Sequence, residues 1–371
     1  MQSNVRWAIA IGVAAVLVGA GVYAGYVLSQ PGSPCPASST SSGSSGTTRV
    51  DATPGTPVAL TVGGISLTKP SAAEIGPAST ASTSTARDAV GGPGEVVNVV
   101  AAENFWGSLV SQLGGTHVNV TSIITDPNTD PHEYQSNDSD AKAIANAQYV
   151  ILNNVGYDDW ATELVAADGA TNQTVLNIGD MLGVYVTGGI VTGNPHLWYN
   201  PNYVNQTVAW MYHNLTTIAS QLTGYFTDQY DNLTASLASL YGEVGVIHHL
   251  FAGTEVASTE SIFVYLANAT GLDLVSPPAF MEAIAEGNDP PDASVVTFQC
   301  QLESGNVKVL VFNAQTVTPI TTNMKAIAQE HNVTVMSVTE TIVPPTSTFQ
   351  QWMGGELNSL YVALDANQLG Q

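Results

Sequence analysis

The sequence predicts an α/β protein of two lobes, each a mostly parallel sheet flanked by helices. One long α-helix bridges the lobes, and an N-terminal transmembrane anchor and flexible stalk precede them. Three observations predict this. Short apolar strands alternate with helical patterns from residue 95 onward, as in parallel sheets with helices on both faces. Within that alternation Phe226, Tyr230, Leu233, Leu237, Leu240, Val244 and Ile247 recur at intervals of three and four, the stripe of one long amphipathic helix. The first 93 residues show an apolar run and then a polar, low-complexity stretch without core patterning.

Ala8 to Leu28 is an uncharged apolar run with Arg6 as the only charge before it. It matches the roughly 20 residues that a spanning helix needs. The expectation is an uncleaved anchor within residues 1–28, with the remainder outside the cell. The alternative is a secretory signal cleaved near the small residues of Val22-Tyr23-Ala24. Cys35 is set aside as a lipid anchor because Gly32-Ser33-Pro34 before it lacks the usual leucine. Residues 29–93 are rich in Ser, Thr, Gly, Pro and Ala and read as a flexible stalk, since they cannot bury enough apolar area to offset ordering entropy. Val58 to Leu67 is expected as a short strand inside it.

The first lobe is expected over 94–224. Val96 to Ala101 reads as a buried strand, and Phe105, Leu109 and Leu113 line a helix that stops at Gly114-Gly115. Val118 to Ile124 is a second strand, Asp138 or Ser139 starts a helix closing near Ala147, and Tyr149 to Asn153 is a third strand. The linking helix occupies 225–249 and is about 33 Å long over the Phe226 to Ile247 stripe at 1.5 Å per residue. The second lobe, 250–371, restarts the alternation at Glu255 to Ser258, Ser261 to Thr270, Val307 to Phe312, Thr322 to Glu330 and Val333 to Val338, with a helical pattern at Ala293 to Leu302.

Composition excludes several classes of partner. Charged residues make up 10% of the chain, and 7 Lys and Arg stand against 30 Asp and Glu, for a formal charge of -23. A chain without a basic surface has nothing to displace counterions from nucleic acid, nor to dock on anionic headgroups. The two cysteines are Cys35 and Cys300. A bridge between them would tie the stalk to a lobe, so Cys300 is expected instead as a small buried apolar residue.

Two short runs carry the chemistry: Asp130-Pro131-His132-Glu133-Tyr134 and Asn194-Pro195-His196-Leu197-Trp198-Tyr199-Asn200-Pro201. Each places a histidine directly after a proline, between an expected strand and an expected helix. Proline fixes its own φ and keeps the preceding residue out of the α region, which stiffens the loop end that presents the imidazole. Open parallel sheets bind ligands at the carboxyl ends of their strands, and His132 falls at one. Glu260 and Glu340 stand at equivalent strand-to-helix turns further on. The reading is a divalent transition-metal site of His132, His196, Glu260 and Glu340. Asp289, Asp292 and Glu286 compete with Glu340 for the fourth place. His248 and His249 follow the long helix as neighbours in sequence, point to different sides of any helix and are expected at the surface; His117, His213 and His331 carry no motif and are expected to be structural or solvent-facing.

These runs, together with Ser258-Thr259-Glu260-Ser261-Ile262-Phe263-Val264-Tyr265-Leu266, Val338-Thr339-Glu340-Thr341 and Phe349-Gln350-Gln351-Trp352-Met353, resemble the metal-binding solute receptors of ABC transporters that import manganese, zinc or iron. The resemblance covers Glu95 to Leu364. It implies two α/β lobes joined by one long helix, with a metal ion in the cleft held by His132 and His196 from the first lobe and Glu260 and Glu340 from the second. Many relatives carry His and Asp at the last two positions. Glutamate at the third is shared with manganese-type members, so the resemblance favours Mn²⁺, with Zn²⁺ or Fe²⁺ as alternatives. It also implies an ABC permease and its ATPase as partners, a monomer, a cell-surface location and no enzymatic activity. Eight Asn-x-Ser/Thr sites beyond the anchor (Asn119, Asn137, Asn172, Asn205, Asn214, Asn232, Asn268 and Asn332) are consistent with an exported glycoprotein. Two other readings use the same ligands. One is a surface adhesin that retains a metal. The other is a metallohydrolase, for which Glu133 is the only general-base candidate among the motifs.

Overall fold

The computed structural model describes residues 96–169, 172–184, 186–187, 190–191 and 193–369. The expected anchor at residues 8–28 and the expected strand at Val58 to Leu67 lie outside the described residues. No helix among the described residues is long and apolar enough to cross a membrane.

The first half follows the hydrophobic pattern closely. Strand β1 (Val97–Glu103) leads into helix α1 (Asn104–Gly114), which ends where Gly115 adopts φ 53°, a left-handed value that a side chain would disfavour. Then come β2 (Val118–Ile124), α2 (Asp138–Asn146), β3 (Tyr149–Leu152), α3 (Asp159–Asp168), β4 (Thr174–Asn177) and α4 (Ile178–Leu182). The start of α2 is set by Asn137 and Asp140, which cap each other's backbone N–H groups. A small hairpin, β5 (Val186–Thr187) and β6 (Ile190–Val191), precedes α5 (Pro201–Ile218). Asn200 caps α5 through the N–H groups of Asn202 and Tyr203, and Pro201 occupies its first turn.

Helix α6 (Thr223–Phe251) is the expected long helix, extended by two residues at each end; its 29 residues bury the whole predicted stripe. The second half holds β7 (Glu255–Ser258), α7 (Val264–Thr270), β8 (Asp273–Leu274), α8 (Pro278–Ala285), α9 (Asp292–Glu303), β9 (Val309–Asn313), α10 (Pro319–Glu330), β10 (Thr334–Val338) and α11 (Phe349–Leu369).

Both main sheets have four strands, all parallel, in the orders β2-β1-β3-β4 and β10-β9-β7-β8. Numbered within its own half, each sheet runs second, first, third, fourth. Each therefore has its switch point, where the strand order reverses, beside its first strand. Ligand crevices form outside the carboxyl ends of strands at such points.

One apolar core runs through both halves. Phe226, Leu233, Leu237, Val244 and Ile247 of α6 belong to the same buried cluster as Val97, Phe105 and Trp198 on one side and Val256, Val309 and Leu360 on the other. The outer face of each sheet has its own smaller cluster, around Val100, Ile144 and Val150 in the first half and around Phe280, Phe298 and Leu310 in the second.

Cys300 corrects an expectation. It is half-buried and disulfide-bonded, not a free apolar residue of the core. Helix α9 buries only Ser294, Phe298 and Leu302, so the thiol face stays open to a partner; the chain's other cysteine lies outside the described residues. Six of the eight sequon asparagines are exposed, whereas Asn205 and Asn214 are half-buried, and the Asn205 Nδ2 is enclosed.

Leu237 sits fully buried at the middle of α6. Leu237→Ala is expected to cost about 2–5 kcal/mol. Because its cluster is shared, chemical denaturation should show one transition at lower denaturant rather than selective loss of one half.

Candidate metal centre

The carboxyl ends of the strands converge on a single pocket. Glu103 ends β1 and Asn313 ends β9, while Glu260 and Glu340 each follow a strand end by two residues, after β7 and β10. His132 lies in a short 3-10 turn after β2, and His196 caps another after β6. The structure brings His132, His196, Glu260 and Glu340 together, with one donor atom from each lying within 4.8 Å of all the others. His196, Glu260 and Glu340 are fully buried, and the His132 side chain is 15% exposed. It faces a cavity of about 710 Å³ that opens between the halves and is also lined by Asn194, Ser261, Glu282 and Glu286.

Each imidazole is aimed by its own loop. Asp130 accepts the His132 backbone N–H at 3.0 Å, which holds the turn in which Pro131 is buried. Asn194 Oδ1 accepts the His196 backbone N–H at 3.0 Å and lies 2.7 Å from its Nδ1. Nδ1 is then the protonated nitrogen, and Nε2 presents a lone pair to the pocket. The same Asn194 donates through Nδ2 to the Ser261 carbonyl at 2.6 Å, which ties the His196 loop to the turn bearing Glu260.

The carboxylates are held from behind. Glu340 Oε1 accepts hydrogen bonds from Asn313 Nδ2 at 2.7 Å and from the Thr316 hydroxyl at 2.9 Å, and its Oε2 accepts the Tyr157 hydroxyl at 2.9 Å. Glu260 Oε2 accepts a hydrogen bond from the same Asn313 amide. The remaining oxygens face the imidazoles: Glu260 Oε1 is 3.0 Å from His196 Nε2, and Glu340 Oε2 is 3.4 Å from His132 Nε2. Three of these facing atoms, both Nε2 and Glu260 Oε1, are buried without a hydrogen-bond partner. Lone pairs pointing at one another in a dry pocket need a proton or a metal cation between them. Two imidazoles and two carboxylates fit a first-row divalent ion better than Cu⁺, which prefers sulfur.

The electrostatics agree. Burial by itself would raise the Glu260 pKa, but the adjoining His196 imidazole, the nearby His132 and the Asn313 amide outweigh it and lower it from its ordinary value. Tyr157 is pushed well above the usual phenol range by burial and then by the Glu340 carboxylate, so it stays a donor. Asp130, half sheltered beside Glu340, rises to about 6.

Support residues that carried no sequence motif surround the four. Tyr157 follows a turn in which Asn154, Val155 and Gly156 have φ of 65°, 61° and 77°. This is a strained conformation for a β-branched valine. Asp158 accepts the Asn153 and Asn154 N–H groups at 2.7 and 2.6 Å and locks that turn. Its pKa rises to about 6 through burial. Beside it lies Glu103, whose pKa burial and then the Asp158 charge push well above the ordinary carboxylate value. Glu356 of α11 accepts the Thr339 N–H at 3.0 Å and the Tyr199 hydroxyl at 2.6 Å, which pins the residue before Glu340. Burial raises its pKa to about 7.

Other expectations resolve plainly. Glu286 lines the outer cavity, and neither it nor Asp289 or Asp292 joins the four donors. His213, His249 and His331 are exposed and His117 is half-buried against Tyr225. His248 is half-buried rather than surface, its ring lying where a side chain at Gly271 would stand. Glu133 is exposed and is neither one of the four donors nor a lining residue of the cavity.

Two parallel-sheet halves closed over a buried set of nitrogen and oxygen donors define a two-lobed, metal-binding solute receptor. The chain belongs to the family described as ZnuA, the periplasmic component A of zinc-uptake complexes, whose model matches residues 99–363. The manganese-binding lipoprotein MntA of Halalkalibacterium halodurans is 26% identical over 118 residues, which are 31% of this chain and 37% of that protein's length. The periplasmic zinc-binding protein TroA of Treponema pallidum superposes with a TM-score of 0.63 at 14% identity, covering 72% of this chain and 99% of TroA. The laminin-binding protein Lmb of Streptococcus agalactiae, described as bifunctional with adhesin and metal-transporting activity, superposes with a TM-score of 0.60 at 17% identity over 72% and 99% of the two chains.

The buried acids give a pH test with a definite sign. Glu356 and Asp158 bind protons in the native state at pH values where the unfolded chain has lost them. Stability from their neutral forms is therefore complete below the ordinary carboxylate range and fades as pH rises towards 6 and then 7. In a chelator, the metal-free protein should melt several degrees higher at pH 5 than at pH 7.5. Glu356→Gln should flatten that dependence, as read by calorimetry across the same range.

Proposed function

We propose that this protein is an extracytoplasmic receptor that captures one divalent transition-metal ion between its lobes and delivers it to an ABC-type permease and its ATPase. His132, His196, Glu260 and Glu340 are the ligands in this reading, and the ion is cargo. The observation that carries it is the trio of buried, unpartnered atoms, His132 Nε2, His196 Nε2 and Glu260 Oε1, in a group whose four donors converge within 4.8 Å. Two carboxylates neutralise a dication, and four protein donors suit capture and release, whereas a catalytic zinc site keeps a position open for water. The exposed position of Glu133 removes the base that hydrolysis would require.

The wider reading keeps the sequence-based boundaries. Residues 1–28 anchor the chain in the membrane, 29–93 form the stalk, and lobes 94–224 and 250–371 are joined by 225–249 in a monomer held outside the cell and glycosylated at exposed sequons. Mn²⁺, Zn²⁺ and Fe²⁺ all suit mixed nitrogen and oxygen donors. The description of Lmb supports a second role as an adhesin that uses the same fold. Metal uptake by a deletion strain separates the two, because an adhesin without transport would leave uptake unchanged.

His132→Ala and His196→Ala should each leave the fold intact and lower metal affinity by more than the roughly 10–100-fold that loss of an outer partner costs. Equilibrium dialysis with elemental analysis reads this directly; wild-type affinity in both variants would overturn the ligand assignment. Protons compete with metal at both imidazoles, while Glu260 is held ionised in mild acid. Affinity should therefore fall from pH 7.5 to 5. Calorimetry in buffers of different ionisation enthalpy should count no more than two protons released on binding, one for each imidazole in the group.

A further inference from the structure

Asn313 closes β9 at the floor of the pocket and is fully buried. Its Oδ1 accepts the Gln315 backbone N–H at 2.9 Å, which fixes the orientation of the amide. Nδ2 must then face the pocket, where it donates to Glu340 Oε1 at 2.7 Å and to Glu260 Oε2. An amide nitrogen has two hydrogens, and three acceptors surround them: one oxygen of each glutamate and, at 3.1 Å, the Thr316 hydroxyl oxygen. Thr316 adds a second donor at 2.9 Å, but to Glu340 alone.

We propose that Asn313 is a specificity-determining positioning residue that makes both glutamates monodentate and so gives the site a four-coordinate preference for Zn²⁺ over Mn²⁺. The proposal rests on the receptor reading above and deepens it by naming the cargo. The Asn313 amide holds one oxygen of each carboxylate against itself, so each turns the other towards the ion. Glu260 Oε1 and Glu340 Oε2 are the oxygens that face the imidazoles; the first has no hydrogen-bond donor, and the second accepts only the Tyr157 hydroxyl, which leaves it a lone pair for the ion. With two Nε2 atoms they make four donors. Donors around an ion with bonds of about 2.1 Å stand roughly 3.4 Å apart in a tetrahedron, and zinc accepts that geometry readily. Two of the six donor separations are 3.0 and 3.4 Å, and all lie within 4.8 Å, so the four donors close on one ion with a modest inward shift. Mn²⁺ favours a larger, oxygen-rich shell, which here would require at least one carboxylate to turn and bind through both oxygens. That turn breaks the Asn313 bond and leaves the amide only the longer contact to Thr316 in exchange for a charged acceptor. The manganese preference drawn from the sequence came from the ligand types; denticity is decided by a neighbour outside every motif.

The test uses the full chain, freed of metal, as wild type, Asn313→Ala and Asn313→Ser. Co²⁺ is the spectroscopic probe, followed by competition between Zn²⁺ and Mn²⁺. Wild type should bind one Co²⁺ with the intense visible bands of four-coordination, and should bind Zn²⁺ well ahead of Mn²⁺. Asn313→Ala should weaken those bands towards the five- or six-coordinate form and narrow the Zn²⁺/Mn²⁺ affinity ratio by about 10-fold or more, the scale of an outer-partner loss. Asn313→Ser, whose single hydroxyl hydrogen serves one carboxylate, should fall between. A wild type that binds Co²⁺ with weak, six-coordinate bands overturns the inference without needing a folded variant, as does an Asn313→Ala protein with unchanged spectrum and ratio. A wild type that binds none of the three ions overturns the receptor reading itself.

Discussion

Lone pairs from two imidazoles and two carboxylates are held within 4.8 Å of one another in a pocket largely closed to water. Burying ionised groups costs several kcal/mol each unless hydrogen bonds compensate. The surroundings of Glu340 show how the fold compensates, since Tyr157, Asn313 and Thr316 all donate to it. Of the four inward-facing atoms only Glu340 Oε2 takes one of these bonds, from Tyr157. What remains unsatisfied is a cluster of electron pairs with net negative charge, and a small dication is the species that satisfies all of them together.

This arrangement requires the halves of the molecule to hold each other in register. Asn104, at the start of α1, receives the Ile342 N–H at 3.0 Å and returns a 3.4 Å bond to its carbonyl. Gln315 reaches the Thr129 carbonyl at 3.2 Å and also accepts the Glu340 N–H at 2.7 Å. Asn194 spans from the His196 loop to Ser261. Each link joins a residue next to one ligand with a residue of the other half, so movement of a ligand loop strains a bond across the cleft. Beneath them, α6 contributes to one shared apolar core. Packed interiors resist continuous deformation, so relative movement of the halves falls first on these polar links.

Much of the fold was legible because the signals are local. The Phe226 to Ile247 stripe, the Gly114-Gly115 stop and the Asn137 cap act over a few residues, and each element stands where its pattern placed it. The four candidate ligands were legible because proline-stiffened loops and strand-end acids are sequence features. Competition from Asp289, Asp292 and Glu286 could not be settled that way, since a carboxylate in the right lobe reads the same whether it turns inward or lines the mouth. His248 and Cys300 were misjudged for a related reason. His248 sits on a helix face met by Gly271 from a separate turn, and the disulfide bonding of Cys300 has no signature in the pattern of its helix.

The chain by itself determined the alternation of strands and helices, the long α6 stripe and the residue types able to bind a transition metal, because periodicity, turn chemistry and donor chemistry are properties of short stretches. Only the tertiary structure decided which atoms of those residues stay free. Asn313, Tyr157 and Thr316 carry no motif and lie 53, 183 and 24 residues from the glutamates they hold. Their effect depends on the convergence of several strand ends, and a hydrogen bond across such a separation has no trace in the local pattern of the sequence.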